Sequence, residues 1–310
     1  MAMEGAAVRE VWAANLMEEM PHIAAAAESS PLVAVDTEFS GFLRQTPRHA
    51  SMEELYEDVR YNVEQMELVQ VGFTFFDLQS SRQRTWQINV ACRTDILPPS
   101  VKLQRRSGID LERNRDEGVD VELLSDLLLG SGSFSRRPGR TWVTFHGIYD
   151  LSYLVKLLGR SPLPDTLACF ALLTGDLLGS VVDTKYLARF CGEQFRAGEL
   201  GLQRLSQLLR VRSPGVLHHQ AGYDSLLTAM AFQKMIHRFP HLLEEELEGF
   251  VWGIEGCRIE PEQQLEVDDQ SFLVLPIRQL EVTPVRTVLL PPAPFLAAMP
   301  AWPLPSPCFY

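Results

Sequence analysis

The chain has no run approaching about 18 uninterrupted apolar residues, which excludes an ordinary membrane-spanning helix. Cysteine is sparse: Cys92, Cys169, Cys191, Cys257 and Cys308 are scattered, odd in number and form no C-x-x-C pair. Neither a disulfide framework nor a zinc site is therefore expected. Positive charge is also short, with 28 Lys and Arg against 40 Asp and Glu for a net charge of −12. That weighs against a general nucleic-acid binder, whose affinity comes mostly from neutralising phosphates. It is not decisive, because two divalent cations held by carboxylates would cancel four of those charges. The first 30 residues lack a basic start followed by an apolar run, so no secretory leader is expected. Nor is any internal repeat visible. The expectation is a soluble, intracellular chain. With 310 residues, 46% of them hydrophobic, it can bury a substantial core.

Val8, Trp12, Leu16 and Met20 recur every four residues, which predicts a helix from near Gly5 to just before Pro21. Pro31 then opens a short apolar run, Leu32 to Phe39, that reads as a strand. Residues 52–68 read as a helix, and Val69–Phe76 with Thr85–Val90 as a hairpin. A helix over Val119–Leu129 closes at Gly130, and Gly130–Arg140 reads as a surface loop. Thr141–Phe145 is a further strand, followed by a helix through Leu151, Leu154, Val155 and Leu158 that stops at Gly159. Helices are predicted over 184–191, 201–210 and 222–238. Ten of the twenty prolines fall in the last 55 residues, so 256–310 is expected to be a disordered, Pro-rich tail to a domain spanning 1–255. Strands first and helices later suggest an α/β fold, a mixed sheet flanked by helices compatible with a ribonuclease-H-like core.

Asp36 and Glu38 lie two apart near the end of the first predicted strand, so the pleat turns both carboxylates to one side. Two acids on one sheet face repel unless something positive joins them, and a hard cation takes such oxygen ligands. Alone, the pair also fits a solvated strand end. Asp150 follows the strand Thr141–Phe145, at a helix start where an acid also complements the helix dipole. His219 and Asp224 stand at the opening of the strongest late helix. Five apart on one helix they would point about 140° from each other. His219 must therefore sit on the loop leading into that helix if both are to face one site.

In that order, an acid pair, a later acid and His-x-x-x-x-Asp resemble the four-carboxylate (DEDD) exonucleases of the His-containing subtype. The Tyr subtype would place tyrosine at 220, which is Gln220. In such a site two divalent cations, Mg²⁺ or alternatively Mn²⁺, lower the pKa of a water and stabilise the attacking and leaving oxygens at phosphorus. Asp36 would bridge them, Glu38 and Asp224 would hold one, Asp150 the other, and His219 would take the water's proton.

The wording of the motifs goes further. The segments are Val8-Arg-Glu-Val-Trp-Ala-Ala-Asn-Leu16, Val33-Ala-Val-Asp-Thr-Glu-Phe39, Gly108-Ile-Asp110, Glu117-Gly-Val-Asp120, Trp142-Val-Thr-Phe-His146, Tyr149-Asp-Leu-Ser-Tyr-Leu154, Val182-Asp-Thr-Lys-Tyr-Leu187 and the stretch His219–Thr228. Together they resemble the family of carbon-catabolite-repressor-four-associated factor one, most of all its plant members, over residues 7–240. The chain departs from the family at Gly147-Ile148, where Ser-Gly is usual, and at Tyr223, where serine is usual.

The resemblance implies a poly(A)-specific 3′→5′ exoribonuclease releasing 5′-AMP, the catalytic subunit of the CCR–NOT complex; the alternatives are a weakly active or inactive scaffold subunit of that complex and a DEDD exonuclease with another nucleic-acid substrate. Poly(A) RNA, the large scaffold subunit and a second nuclease subunit would be its partners, and cytoplasm and nucleus its locations. The family's catalytic residues fall on Asp36, Glu38, Asp150, His219 and Asp224. Phe39, Phe42, His146 and Tyr149 lie beside the acids as candidate RNA contacts. Arg105, Arg106, Arg113, Arg115, Arg136, Arg137 and Arg140 are candidates to meet phosphates, set against an ordinary solvated surface.

Overall fold

The computed structural model describes residues 8–80, 82–92, 108–196, 200–211, 219–243 and 246–260. Arg105, Arg106 and residues 261–310 of the expected tail lie outside them. Six strands form one sheet: β1 (Val8–Val11), β2 (Leu32–Phe39), β3 (Leu68–Phe76), β4 (Arg84–Asn89), β5 (Thr141–Thr144) and β6 (Ser180–Asp183), in the order β1-β4-β3-β2-β5-β6. The centre is antiparallel, β2 to β3 to β4, whereas β1 runs parallel to β4 and β5 runs parallel to both β2 and β6. The sheet is therefore mixed and flanked by helices, as the alternation of segments suggests.

Nine helices of the described residues cover it: α1 (Leu16–Ser29), α2 (Met52–Gln65), α3 (Leu111–Glu117), α4 (Val121–Gly130), α5 (Ile148–Gly159), α6 (Leu167–Leu178), α7 (Thr184–Ala188), α8 (Leu202–Leu209) and α9 (Ala221–Arg238). None is long and apolar enough to cross a membrane. Every residue of β3 is buried because helices close both faces, so the usual in-out alternation gives way to a mostly apolar run interrupted by Gln70 and Thr74. The pleat of β2 divides two cores. Val33 and Val35 pack with α1, α2, α5 and α6, while Leu32 and Ala34 pack with α8 and α9. By the same alternation Thr37 and Phe39 belong to the α5 side, and Asp36 and Glu38 to the α9 side.

Local chemistry explains most helix starts. Ser51 and Glu54 form a capping box at α2, and Asp120 and Thr166 cap α4 and α6 through their side chains. The helix expected up to Pro21 is corrected. Val8–Val11 pair as β1, and α1 starts at Leu16 and runs through Pro21. Proline removes one intrahelical bond. The buried face of Leu16, Met20, Ile23, Ala26 and Ala27 carries the helix past it.

Arg140, expected on a surface loop, is only 2% exposed. Its guanidinium donates to the carbonyls of Ser133 and, at 2.6 Å, of Ala27. Ala27 lies in the last turn of α1, which has no basic residue of its own, so Arg140 satisfies a helix-end carbonyl rather than a phosphate. Residues 256–260 lie past the expected domain boundary. They pack onto the described fold, with buried Ile259 donating its N–H to the Gly249 carbonyl at 2.8 Å.

One glycine decides how close α9 comes to the sheet. Gly72 on β3 pairs with Asp36 on β2, and a Cβ there would lie 2.0 Å from the Ala221 carbonyl oxygen at the start of α9. Backbone meets backbone at that point, so no side chain can yield. Gly72→Ala is expected to push the start of α9 off the sheet and cost roughly 1–3 kcal/mol. A urea melt measures the cost; an unchanged midpoint would sink the argument.

Candidate active site

The acids come from three elements. Asp36 and Glu38 end β2, where the register with β3 slips between Glu38 and Phe39. Asp150 is the third residue of α5, and Asp224 lies in the first turn of α9. Because α5 and α9 cover opposite faces of the sheet, their N-termini converge on the end of β2 from both sides. Helix N-termini carry partial positive charge, which favours acids at those two positions.

Both helix starts are built for the approach. Gly147 caps α5 without a side-chain bond, and a Cβ there would lie 2.3 Å from Cβ of Thr144. The start of α9 rests on a buried cluster of amides. Gln70 and Gln87 each donate to Oε1 of Gln220, at 3.0 and 2.9 Å, and accept from the N–H groups of Ala221 and Gly222. Below them Thr74 bonds both Thr85 and Ser225 at 3.0 Å.

The resulting electrostatics are those of crowded, desolvated carboxylates. Asp36 is pushed well above the usual carboxylate range, by burial first and then by Asp150, Asp224 and Glu38. Glu38 is pushed up to about 8 by burial, Asp224 and Asp150. Asp150 rises to about 7 through burial, against the opposing effect of two hydrogen bonds from Thr37. The charges that raise Asp36 are those of Asp150, Asp224 and Glu38, all carboxylates, a crowding that hard cations would relieve.

His219 sits just before α9, whose N-cap is Gln220, as the spacing demands of a residue that is to share a site with Asp224. It is exposed, holds a left-handed backbone with φ of 60°, and donates its N–H to Asp224 Oδ2 at 3.1 Å. One ligating atom from each of Glu38, His219 and Asp224 falls within 4.8 Å of the others. Within this group the two carboxylates supply the oxygen donors a hard divalent cation takes, at a spacing that would admit one.

Phe39, Phe42 and Tyr149 form an aromatic group beside the acids. Phe39 stacks on Tyr149 at 5.1 Å, and Phe42 meets both edge-on at 5.0 and 5.3 Å. Buried Asn62 ties this group to the following turn, donating to the Tyr149 hydroxyl at 3.0 Å and accepting from the N–H groups of Leu43 and Arg44. His146 precedes the Gly147 cap of α5 and is half-buried, with Nδ1 3.3 Å from the Lys185 ammonium. Burial and that cation push it down to about 3.

Two residues that carry the geometry were not singled out from the sequence. Asp183, fully buried, accepts from the N–H groups of His146, Gly147, Lys185 and Tyr186, so it pins the turn that delivers α5. Thr37 holds Asp150 directly. The signal for Thr37 was its place between the two acids, where alternation turns it to the α5 face. Of the candidate arginines, Arg113, Arg115 and Arg136 lie in exposed ion pairs with Glu117, Asp116 and Asp176, and Arg137 is exposed.

A mixed sheet with acids gathered where β2 and two helix starts meet defines a nuclease of the ribonuclease-H-like, DEDD-exonuclease class. The family described as CAF1 family ribonuclease matches residues 11–120 and 102–232, more than half of the chain. The chain is 35% identical over 260 residues to the Arabidopsis thaliana protein described as probable CCR4-associated factor 1 homolog 1, covering 79% of this chain and 68% of that one. It is 37% identical over 217 residues to putative homolog 8 of the same plant, covering 68% and 88%. Among solved structures it resembles S. pombe Pop2p in a form with Mg²⁺ and Mn²⁺ bound, with TM-score 0.71, 29% identity and coverage of 80% of this chain and 99% of that one. The chain belongs to the CAF1 family of ribonucleases, with plant relatives.

Proposed function

We propose that this chain is a poly(A)-specific 3′→5′ exoribonuclease, an mRNA deadenylase, which releases 5′-AMP by hydrolysis at two divalent cations. The observation that carries the reading is the convergence of Asp36, Glu38, Asp150 and Asp224 from three elements, close enough that their charges raise the carboxyls of Asp36 and Glu38, with His219 exposed beside Glu38 and Asp224. Asp36, Glu38, Asp150 and Asp224 would hold the cations, of which Mg²⁺ and Mn²⁺ are those bound in the S. pombe relative. When bound, they supply charge neutralisation at phosphorus and a more acidic water. His219 accepts the proton of the attacking water on a ring nitrogen. The aromatic group of Phe39, Phe42 and Tyr149, together with His146, would contact the terminal nucleotides.

The plant relatives are named as CCR4-associated factors; this supports a place in the CCR4–NOT assembly, where the chain would sit beside a large scaffold subunit and a second nuclease. On this reading the enzyme would act where mRNA tails are shortened, in cytoplasm and nucleus. The test uses purified protein, Mg²⁺ and 5′-labelled single-stranded RNA with either an oligo(A) tail or a tail of other bases. Stepwise loss of the A tail from its 3′ end is expected, stopping at other bases and abolished by a chelator. Equal trimming of both tails would refute the poly(A) reading, and no trimming with either cation would refute the enzyme reading.

A further inference from the structure

Thr37 is one residue from each acid of the first pair, yet it faces the opposite side of the sheet, where α5 packs. Its main-chain N–H donates to Asp150 Oδ1 at 2.7 Å and its hydroxyl donates to the same oxygen at 2.6 Å. Both groups are buried, and the residues are 113 positions apart in the chain. The ladder explains why the N–H is available. Pairing between β2 and β5 ends at Ala34 with Val143, so past that point the edge of β2 has no strand beside it. The Asp150 carboxylate takes the place of the missing strand and satisfies a buried donor that would otherwise be left open.

We propose that Thr37 is a positioning residue that locks the Asp150 carboxylate in the orientation needed to hold a cation. This rests on the four-carboxylate reading above. Asp150 stands among like charges and next to the buried carboxylate of Asp183, so repulsion alone would turn its side chain away. Two donors on one oxygen fix the rotamer and occupy Oδ1. The remaining acceptor capacity of the carboxylate then faces the site. Groups that orient a metal ligand without touching the metal act in this way.

The main-chain donor cannot be removed by substitution, but the hydroxyl can. Thr37→Val keeps the β-branched shape that suits a strand and deletes the bond; Thr37→Ser keeps the bond and deletes only a methyl. Calorimetric titration of Mn²⁺ into the chelator-stripped full chain reads the effect without any turnover. Thr37→Val is expected to weaken cation binding about tenfold or more, and Thr37→Ser to stay within about twofold of the parent. The cation concentration giving half-maximal rate should move in parallel while KM for RNA at saturating cation does not. Thr37→Ala makes the same cut should the valine variant fold poorly. Cation affinity unchanged in the hydroxyl-free variants, or lowered equally in Thr37→Ser, would overturn the role of Thr37 alone. A parent chain that takes up no cation would overturn the four-carboxylate reading with it.

Discussion

Asp36→Asn is expected to lower kcat by about 10³-fold or more, equivalent to roughly 4 kcal/mol of transition-state stabilisation, while raising the melting temperature of chelator-treated protein. The two effects have one cause. Asp36 is the acid on which the other three act, through burial and then the charges of Asp150, Asp224 and Glu38. An amide of the same shape removes a group that the fold must either charge against its neighbours or hold protonated, so the fold without cations relaxes. It also removes the anion placed to join them, and a neutral amide is a much weaker ligand for a hard cation. A site that costs the fold stability in order to function shows this opposition when its central charge is removed. Single-turnover cleavage of an A-tailed RNA and a thermal melt in chelator measure the pair. Loss of activity with a fall in melting temperature would mean that Asp36 holds the structure together rather than burdening it.

Much of this site was legible because its chemistry depends on spacings that survive in sequence. The step of two between Asp36 and Glu38 fixes a face of β2, and the step of five from His219 to Asp224 requires His219 to precede the helix, which it does. What sequence could not show was carried by contacts between distant segments. Thr37 and Asp150 are far apart in the chain, and Thr37 has no local pattern of its own. The four-residue β6 is too short to display alternation, and α6 is apolar nearly all round, with Leu172 exposed among buried neighbours, so neither period stands out. The N-terminal error had the same origin. A spacing of four was real between Leu16 and Met20, but Val8 and Val11 pair with β4, and tertiary pairing overrode the local period. Arg140 read as loop surface because Ala27, which it reaches on α1, is 113 positions away, and its other partner, Ser133, gives no pattern within the same loop.

Chelated protein is expected to lose stability as pH rises from about 6.5 to 8, and added Mg²⁺ to restore most of the loss. Glu38 and Asp150 stand at about 8 and about 7 in the folded chain, against 4.5 and 3.8 for the free groups. Between those limits the folded state binds more protons than the unfolded one, so stability falls with rising pH. The fall is complete above the folded values and absent below the free ones. Asp183, also raised, acts in the same sense. His146 acts in the opposite one. Held at about 3 against 6.5, it stays neutral when folded and takes a proton when unfolded, so its contribution rises with pH up to about 6.5 and is then constant. Glu54 and Asp116 are lowered, but both are exposed and screened by solvent. Above pH 6.5 the crowded acids therefore dominate, with a loss on the order of a few kcal/mol. Cation binding requires these acids deprotonated, so the stability added by Mg²⁺ grows over the same interval. Thermal melts across that range, with chelator and with Mg²⁺, should diverge as pH rises. Parallel curves would mean that the acids find their counter-charge within the chain itself and that the cluster is a structural ion network, not a cation site.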